Sequence, residues 1–153
     1  MNIEKHIIAA TAEVFETMVM LEVAPGAPLA EKITSFCDSI SGMLGFSGDL
    51  KGMLNIHCPR SVALAITGSL LGLEVDEINE DVKDAIGEIA NMVAGSIKTG
   101  LATEGKNLEL SIPTTIAGKS YAINTLAEAE RVVVPFDSAG SRFLVELRFK
   151  TIS

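Results

Sequence analysis

Tryptophan is absent from this 153-residue chain, tyrosine occurs once and cysteine twice. With so few aromatic rings, the interior must be filled by Ile, Val, Leu, Ala and Met. Apolar residues make up 48% of the chain, enough for a full core. The length fits one domain spanning residues 1–153. Basic residues are also scarce: 12 Lys and Arg stand against 20 Asp and Glu, a formal net charge of −8. Such a surface repels nucleic-acid phosphates and anionic lipid, so neither nucleic acid nor membrane is an expected partner. Cys37 and Cys58 lie far apart and form no C-x-x-C pair, so two reduced, partly buried thiols are expected. The first residues contain no apolar signal core. No apolar run approaches the ~18 residues that a membrane helix needs. The expectation is a soluble, cytoplasmic chain.

Ile3, Ile7, Ala10, Val14 and Met18 recur at helical spacing over residues 2–20. Pro25-Gly-Ala-Pro28 stops that helix or turns the chain after it. Strands are expected near 34–46 and 50–57, joined by a hairpin at Ser47-Gly48-Asp49. Cys58-Pro59-Arg60-Ser61 opens a short helix to about Leu71, with Pro59 near its start. The longest helix is expected over 78–102, capped by Asp76 or Asn79. Strands follow at Leu108–Ile112 and Thr114–Ala117, then a turn at Gly118-Lys119 before Tyr121–Leu126. A last hairpin joins Arg131–Phe136 to Arg142–Lys150. Glu13-Val-Phe-Glu16 aligns weakly with Glu88-Ile-Ala-Asn91, and Met43-Leu-Gly-Phe46 with Val133-Val-Pro-Phe136. Duplication and chance both account for this. Duplicated halves of this type suggest an α+β fold: one antiparallel sheet with helices packed on one face.

The long helix carries the most informative pattern. At ~100° per residue, Val82, Ala85, Ile86, Ile89, Val93, Ser96 and Ile97 gather on one side. Asp84, Glu88, Asn91 and Gly95 gather on the other. Gly87 and Gly95 lie in or beside this outer stripe, and each glycine costs a helix about 1 kcal/mol relative to alanine. Close approach of another surface would explain them, leaving Glu88 and Asn91 projecting from a low platform. On composition alone, a solvated face with incidental glycines is the favoured alternative.

Asn offers one acceptor and one donor group and can orient a water without ionising it. Phosphoryl transfer depends largely on such positioning. Glu can pair with a lysine. A metal site fits less well, because one carboxylate and one amide cannot hold a divalent ion tightly, and Asp84 adds only a third ligand.

The pattern Asp84-x-x-x-Glu88-x-x-Asn91, followed by Pro113, resembles the signature of the CheC/CheX/FliY phosphatases of bacterial chemotaxis. The gap from Asn91 to Pro113 is one residue shorter than in that signature, which a loop could absorb. Element order over nearly the whole chain also resembles CheX, and Glu88-Ile-Ala-Asn91-Met-Val-Ala-Gly95 is the most specific piece. Glu16 stands where helix one would need Asn, which fits single-site CheX better than two-site CheC.

The resemblance implies a phosphatase acting on the aspartyl phosphate of a CheY-like response regulator. Asn91 would position the attacking water and Glu88 would pair with the receiver's lysine. Asp84, Gly87 and Gly95 would meet the partner. This chain would bind no cofactor of its own, and Mg²⁺ would arrive with the receiver. A homodimer is implied by the resemblance only.

The alternative is a non-catalytic docking module of a chemotaxis or flagellar switch complex. An independent hydrolytic site has thin candidates. Neighbouring strand residues point to opposite faces, so His57 and Cys58 make a poor dyad, and a buried or edge histidine is expected. His6 has no evident partner. Met18, Met20, Met43, Met53 and Met92 fit core filling better than a docking surface. Lys98 and Lys106 are read as solvated charges.

Overall fold

The computed structural model describes residues 1–31, 33–123, 129–138 and 140–151. Helix α1 (Ile3–Val14) is capped by Asn2, whose Oδ1 accepts from the Lys5 amide at 3.0 Å. Its apolar period buries Ile3, Ile7, Ala10 and Val14. A π-helical turn, Phe15–Val19, continues it and ends at Met20, a non-glycine residue in the left-handed region with φ 61°. The helix therefore stops before Pro25 is reached.

Strand β1 (Ala24–Pro25) is followed by the long hairpin of β2 (Ser35–Gly48) and β3 (Leu50–Pro59). Gly48 takes a φ of +127° at its turn, as the Ser47-Gly48-Asp49 signal requires. Helix α2 (Arg60–Leu71) follows Pro59, and α3 (Glu80–Ala102) follows Asn79. Asn79 rather than Asp76 caps α3, its Oδ1 accepting from the Val82 amide at 3.1 Å. Strands β4 (Leu108–Leu110), β5 (Thr114–Ala122), β6 (Glu130–Ser138) and β7 (Ser141–Thr151) complete the chain.

The seven strands of the described residues join one antiparallel sheet in the order β1-β6-β7-β3-β2-β4, with β5 also pairing to β2. The β2–β3 and β6–β7 hairpins thus meet through β3 and β7. The expected turn at Gly118-Lys119 does not form. Gly118 pairs with Ser39 and Ser120 with Cys37, so β5 runs straight through. The irregularity falls on the opposite strand, where Asp38 has a φ of 44°. Of the strand expected over Tyr121–Leu126, residues 124–126 lie outside the described part.

One sheet face is aliphatic and carries the helices. Ile40, Leu44, Leu54, Ile56, Val145 and Leu147 are fully or almost fully buried against Val82, Ile86, Ile89, Val93 and Ile97 of α3. Each such side chain contributes roughly 1.5–3 kcal/mol when fully buried. This is the expected architecture of an antiparallel sheet with helices on one face. Gly42 sets how closely α3 sits, because a Cβ there would lie 2.9 Å from the Ile86 carbonyl oxygen.

On the opposite face Leu29 and Ile33 pack against Phe36, Val133 and Leu144. The Leu29 amide donates to the Val133 carbonyl at 2.9 Å, and the Ile123 amide to the Thr34 carbonyl at 2.7 Å. Phe36 stacks on His57 with centroids 4.2 Å apart.

Of the five methionines expected to fill the core, Met92 packs against it and Met43 is half-buried, but the other three do not fill it. Met18 is 51% exposed and Met20 78%, with Met53 also exposed. They stand at the end of α1 and on the outward face of β3, where their spacing meets no opposing layer. The two cysteines also differ: Cys37 is exposed, whereas Cys58 is fully buried and burial pushes its thiol up to about 12.

Candidate active site

The period of α3 places its polar stripe outward. Asp84 and Glu88 are exposed, Asn91 and Gly95 are half-buried, and Val82, Ile86, Ile89 and Val93 lie beneath. Glu88 and Asn91 are three residues apart, so they are neighbours on the helix surface. A Cβ built at Gly95 meets nothing within 4 Å. The space inferred from that glycine is therefore present.

Gly87 is different. It is buried, and a Cβ there would lie 3.6 Å from Thr115 Cγ2 and 3.9 Å from Pro113 Cβ. It faces this chain's own β4–β5 loop, so the reading of Gly87 as open platform is corrected. It lets Pro113 lie close beside α3.

Two walls flank the stripe. On one side stands α1, where Ser96 Oγ donates to Glu13 Oε2 at 3.2 Å. His6 contacts Glu104 there, so it has a partner after all. That ring lies over Gly100, where a Cβ would come within 2.7 Å of Nδ1. A groove of about 550 Å³ runs between the helices past Met18, Met92 and Gly95. The other wall is the segment Ser111–Thr114. Ser111 fastens it to β2: its amide donates to the Gly45 carbonyl and its hydroxyl accepts from the Gly45 amide, both at 2.8 Å.

The residues Asp84, Glu88, Asn91 and Gly95 are thus brought together on one surface, with Pro113 beside them. Among the described residues, no group of three or more His, Cys, Asp or Glu side chains is arranged to hold a metal ion. Glu16, on the corresponding side of helix one, is exposed within the π-helical turn. Lys98 is exposed as expected, and Lys106 is half-buried.

A second polar cluster was not foreseen. On the sheet face away from the helices, Glu146 accepts from Asn55 Nδ2 at 3.1 Å, His57 Nε2 at 3.0 Å and Arg148 Nε at 3.0 Å. Arg131 also pairs with it. Burial alone would raise the Glu146 carboxyl, but hydrogen bonds from His57, Asn55 and Arg148, with the charge of Arg148, outweigh it and hold it at about 2. His57 Nδ1 lies 2.6 Å from Ser41 Oγ, which lies 2.8 Å from the Tyr121 hydroxyl. A Ser-His-Glu chain invites comparison with a hydrolase triad, but Ser41 is fully buried and can meet no substrate. The cluster is structural. His57 points to this face and Cys58 to the helical face, as strand alternation requires.

Residues 40–137 match the family model for the chemotaxis phosphatase CheX. The chain belongs to the CheX family. The CheY-P phosphatase CheX of Thermotoga maritima is 25% identical over 125 residues, covering 81% of each chain. The crystal structure of the chemotaxis protein CheX from Desulfovibrio desulfuricans superposes with a TM-score of 0.89 at 27% identity, covering 98% of this chain and 100% of that one. The CheX–CheY–BeF₃–Mg²⁺ complex from Borrelia burgdorferi gives 0.83 at 23% identity, covering 97% and 98%, and shares the fold. The match spans α3 and Pro113, so the CheX-like site motif lies inside the matched region.

Proposed function

We propose that this chain dephosphorylates a CheY-like response regulator, with Asn91 and Glu88 of α3 acting in the receiver's phosphorylation site. One observation carries the reading. Glu88 is exposed and Asn91 half-exposed on the same face of α3, and a Cβ at Gly95 would meet nothing within 4 Å among the described residues. CheX family membership supports the reaction class. The Thermotoga relative is named for acting on phosphorylated CheY, and the Borrelia protein was crystallised with CheY.

Hydrolysis of an aspartyl phosphate requires water in line with the leaving carboxylate. The reaction has a loose transition state, so orientation is a large part of catalysis. Asn91 enters the receiver's site, and its side-chain carbonyl accepts a hydrogen bond from the attacking water. Being neutral, it positions that water without ionising it. Water attacks phosphorus, the P–O bond to the aspartate breaks, and inorganic phosphate leaves with the water's proton redistributed to phosphate or solvent. Glu88 pairs with the receiver's lysine and fixes register. Asp84 touches the rim, Gly95 leaves room for the partner, and Gly87 serves the surface by seating Pro113. Mg²⁺ belongs to the receiver, as the composition of the Borrelia complex supports. A cytoplasmic location accords with the receiver substrate. Family membership also supports a homodimer, which sedimentation of the purified chain tests.

The deciding experiment follows the acyl-phosphate lifetime on a CheY receiver with Mg²⁺ present. The wild-type chain shortens it, and Asn91→Ala abolishes the effect with an unchanged melting temperature. Undiminished activity in Asn91→Ala removes the mechanism. Binding without any shortening by the wild type identifies a docking module instead.

A further inference from the structure

Ile112 is the most exposed of the large apolar side chains among the described residues, at 86%. A single exposed aliphatic residue needs no explanation in itself. The setting of this one gives it meaning. On its N-terminal side Ser111 is fastened to Gly45 by two backbone-anchored hydrogen bonds. On its C-terminal side Pro113 has a fixed φ and lies against α3 at Gly87, and Thr114 opens β5 in register with Met43. Ile112 is thus the tip of a short segment tied down at both ends.

The tip also lies on a particular side of α3. At ~100° per residue, Gly87 and Asn91 turn toward this segment, while Met92, Ser96 and Gly100 turn toward α1. The contacts of Gly87 with Pro113, of Ser96 with Glu13 and of Gly100 with His6 fix that assignment. Ile112 therefore borders the Asn91 side of the stripe. Asp84 and Glu88 supply charge to this surface, which steers and orients a partner more than it binds one. Ile112 supplies exposed apolar area beside them, held with little freedom left to lose on association.

We propose that Ile112 is the apolar anchor of the receiver, set beside Asn91 and separate from the chemistry. It docks against an apolar patch at the mouth of the receiver's phosphorylation site. The proposal rests on the phosphatase reading of α3. It makes Ile112 a determinant of affinity and partner choice, acting on KM and not on kcat.

The test measures binding to a CheY receiver activated with beryllofluoride and Mg²⁺, alongside steady-state hydrolysis of the phosphorylated receiver. Ile112→Asp weakens binding and raises KM by tenfold or more, with kcat within twofold of wild type. Ile112→Leu restores both, and Ile112→Ala gives an intermediate loss should the aspartate variant unfold. Met53→Lys, on the opposite sheet face, changes neither. Binding by Ile112→Asp and Ile112→Ala within twofold of wild type overturns the anchor while leaving the phosphatase reading intact. A loss confined to kcat also overturns it. Hydrolysis surviving in Asn91→Ala, with binding still lost in Ile112→Asp, overturns the catalytic reading and keeps the anchor. A wild-type chain that binds no receiver overturns both.

Discussion

Glu146 bridges His57 and Arg148, taking Nε2 of the first and Nε of the second at 3.0 Å each. The carboxylate is almost fully buried, so it is tolerable only because His57, Asn55, Arg131 and Arg148 surround it, even though Arg148 Nη1 and Asn55 Oδ1 themselves lack partners among the described residues. Removing it leaves two arginines uncompensated. Glu146→Ala is expected to lose about 3–5 kcal/mol of stability in urea titration. A loss under about 1 kcal/mol would mean that the cluster contributes little beyond a surface pair.

The same carboxylate sets an acid limit. Its folded value is about 2, below the ordinary glutamate value of 4.5. A depressed carboxyl adds stability that is fully present above its unfolded value and is lost as pH falls toward its folded one. Stability should therefore decline between about pH 4.5 and pH 2. Denaturation midpoints measured across that window check this, and Glu146→Gln should flatten the decline relative to wild type.

On the other side of the sheet, Gly42 governs the seat of α3. A Cβ there meets the Ile86 oxygen at 2.9 Å and Ala90 Cβ at 3.2 Å. Gly42→Ala must push the helix outward, at an expected cost of about 1–3 kcal/mol. Thermal unfolding reads the cost. Receiver hydrolysis should fall as well, because Asn91 moves with the helix while Pro113 stays with the sheet.

Glu88 and Asn91 should separate kinetically. Asn91→Ala should lower kcat by about a hundredfold or more, the order of effect expected when the group that orients the attacking water is lost. Glu88→Lys should instead weaken receiver binding, since it sets two cations against each other. Equal losses of kcat in both variants, with receiver binding intact, would refute the division of roles.

Gly95→Leu tests the open space. Leucine favours helix more than glycine does, and nothing stands within 4 Å of its Cβ, so folding should be maintained or improved. Receiver association should drop by tenfold or more. Unchanged association would show that no partner surface comes near Gly95.

Much of this was legible in the chain itself. The long helix announced itself because Val82, Ala85, Ile86, Ile89, Val93 and Ile97 share one inward period, with only Ser96 of that stripe turning instead to α1, and Asn79 sat where a cap was needed. The hairpin at Gly48 was legible for the same local reason. What escaped is non-local. Gly118-Lys119 resembles a turn, but the β2 ladder carries β5 through it. Glu146 and Arg148 alternate with Val145, Leu147 and Phe149, which reads as a solvated outer face. Contacts from elsewhere in the chain close that face: Phe36 stacks on His57, and the Ile33 carbonyl accepts from Arg131. Gly87 was read as open because its neighbour Pro113 lies well away from it in the chain.

The charged cluster on that face has one more consequence. His57 and Glu146 are 89 residues apart, and they meet only because β3 and β7 pair in one alignment. Strand side chains alternate, so a slip of a single residue would drive Glu146 and Arg148 into the aliphatic layer. The cluster thus disfavours a shifted pairing of β3 and β7, and with it any displacement of the sheet on which α3 rests.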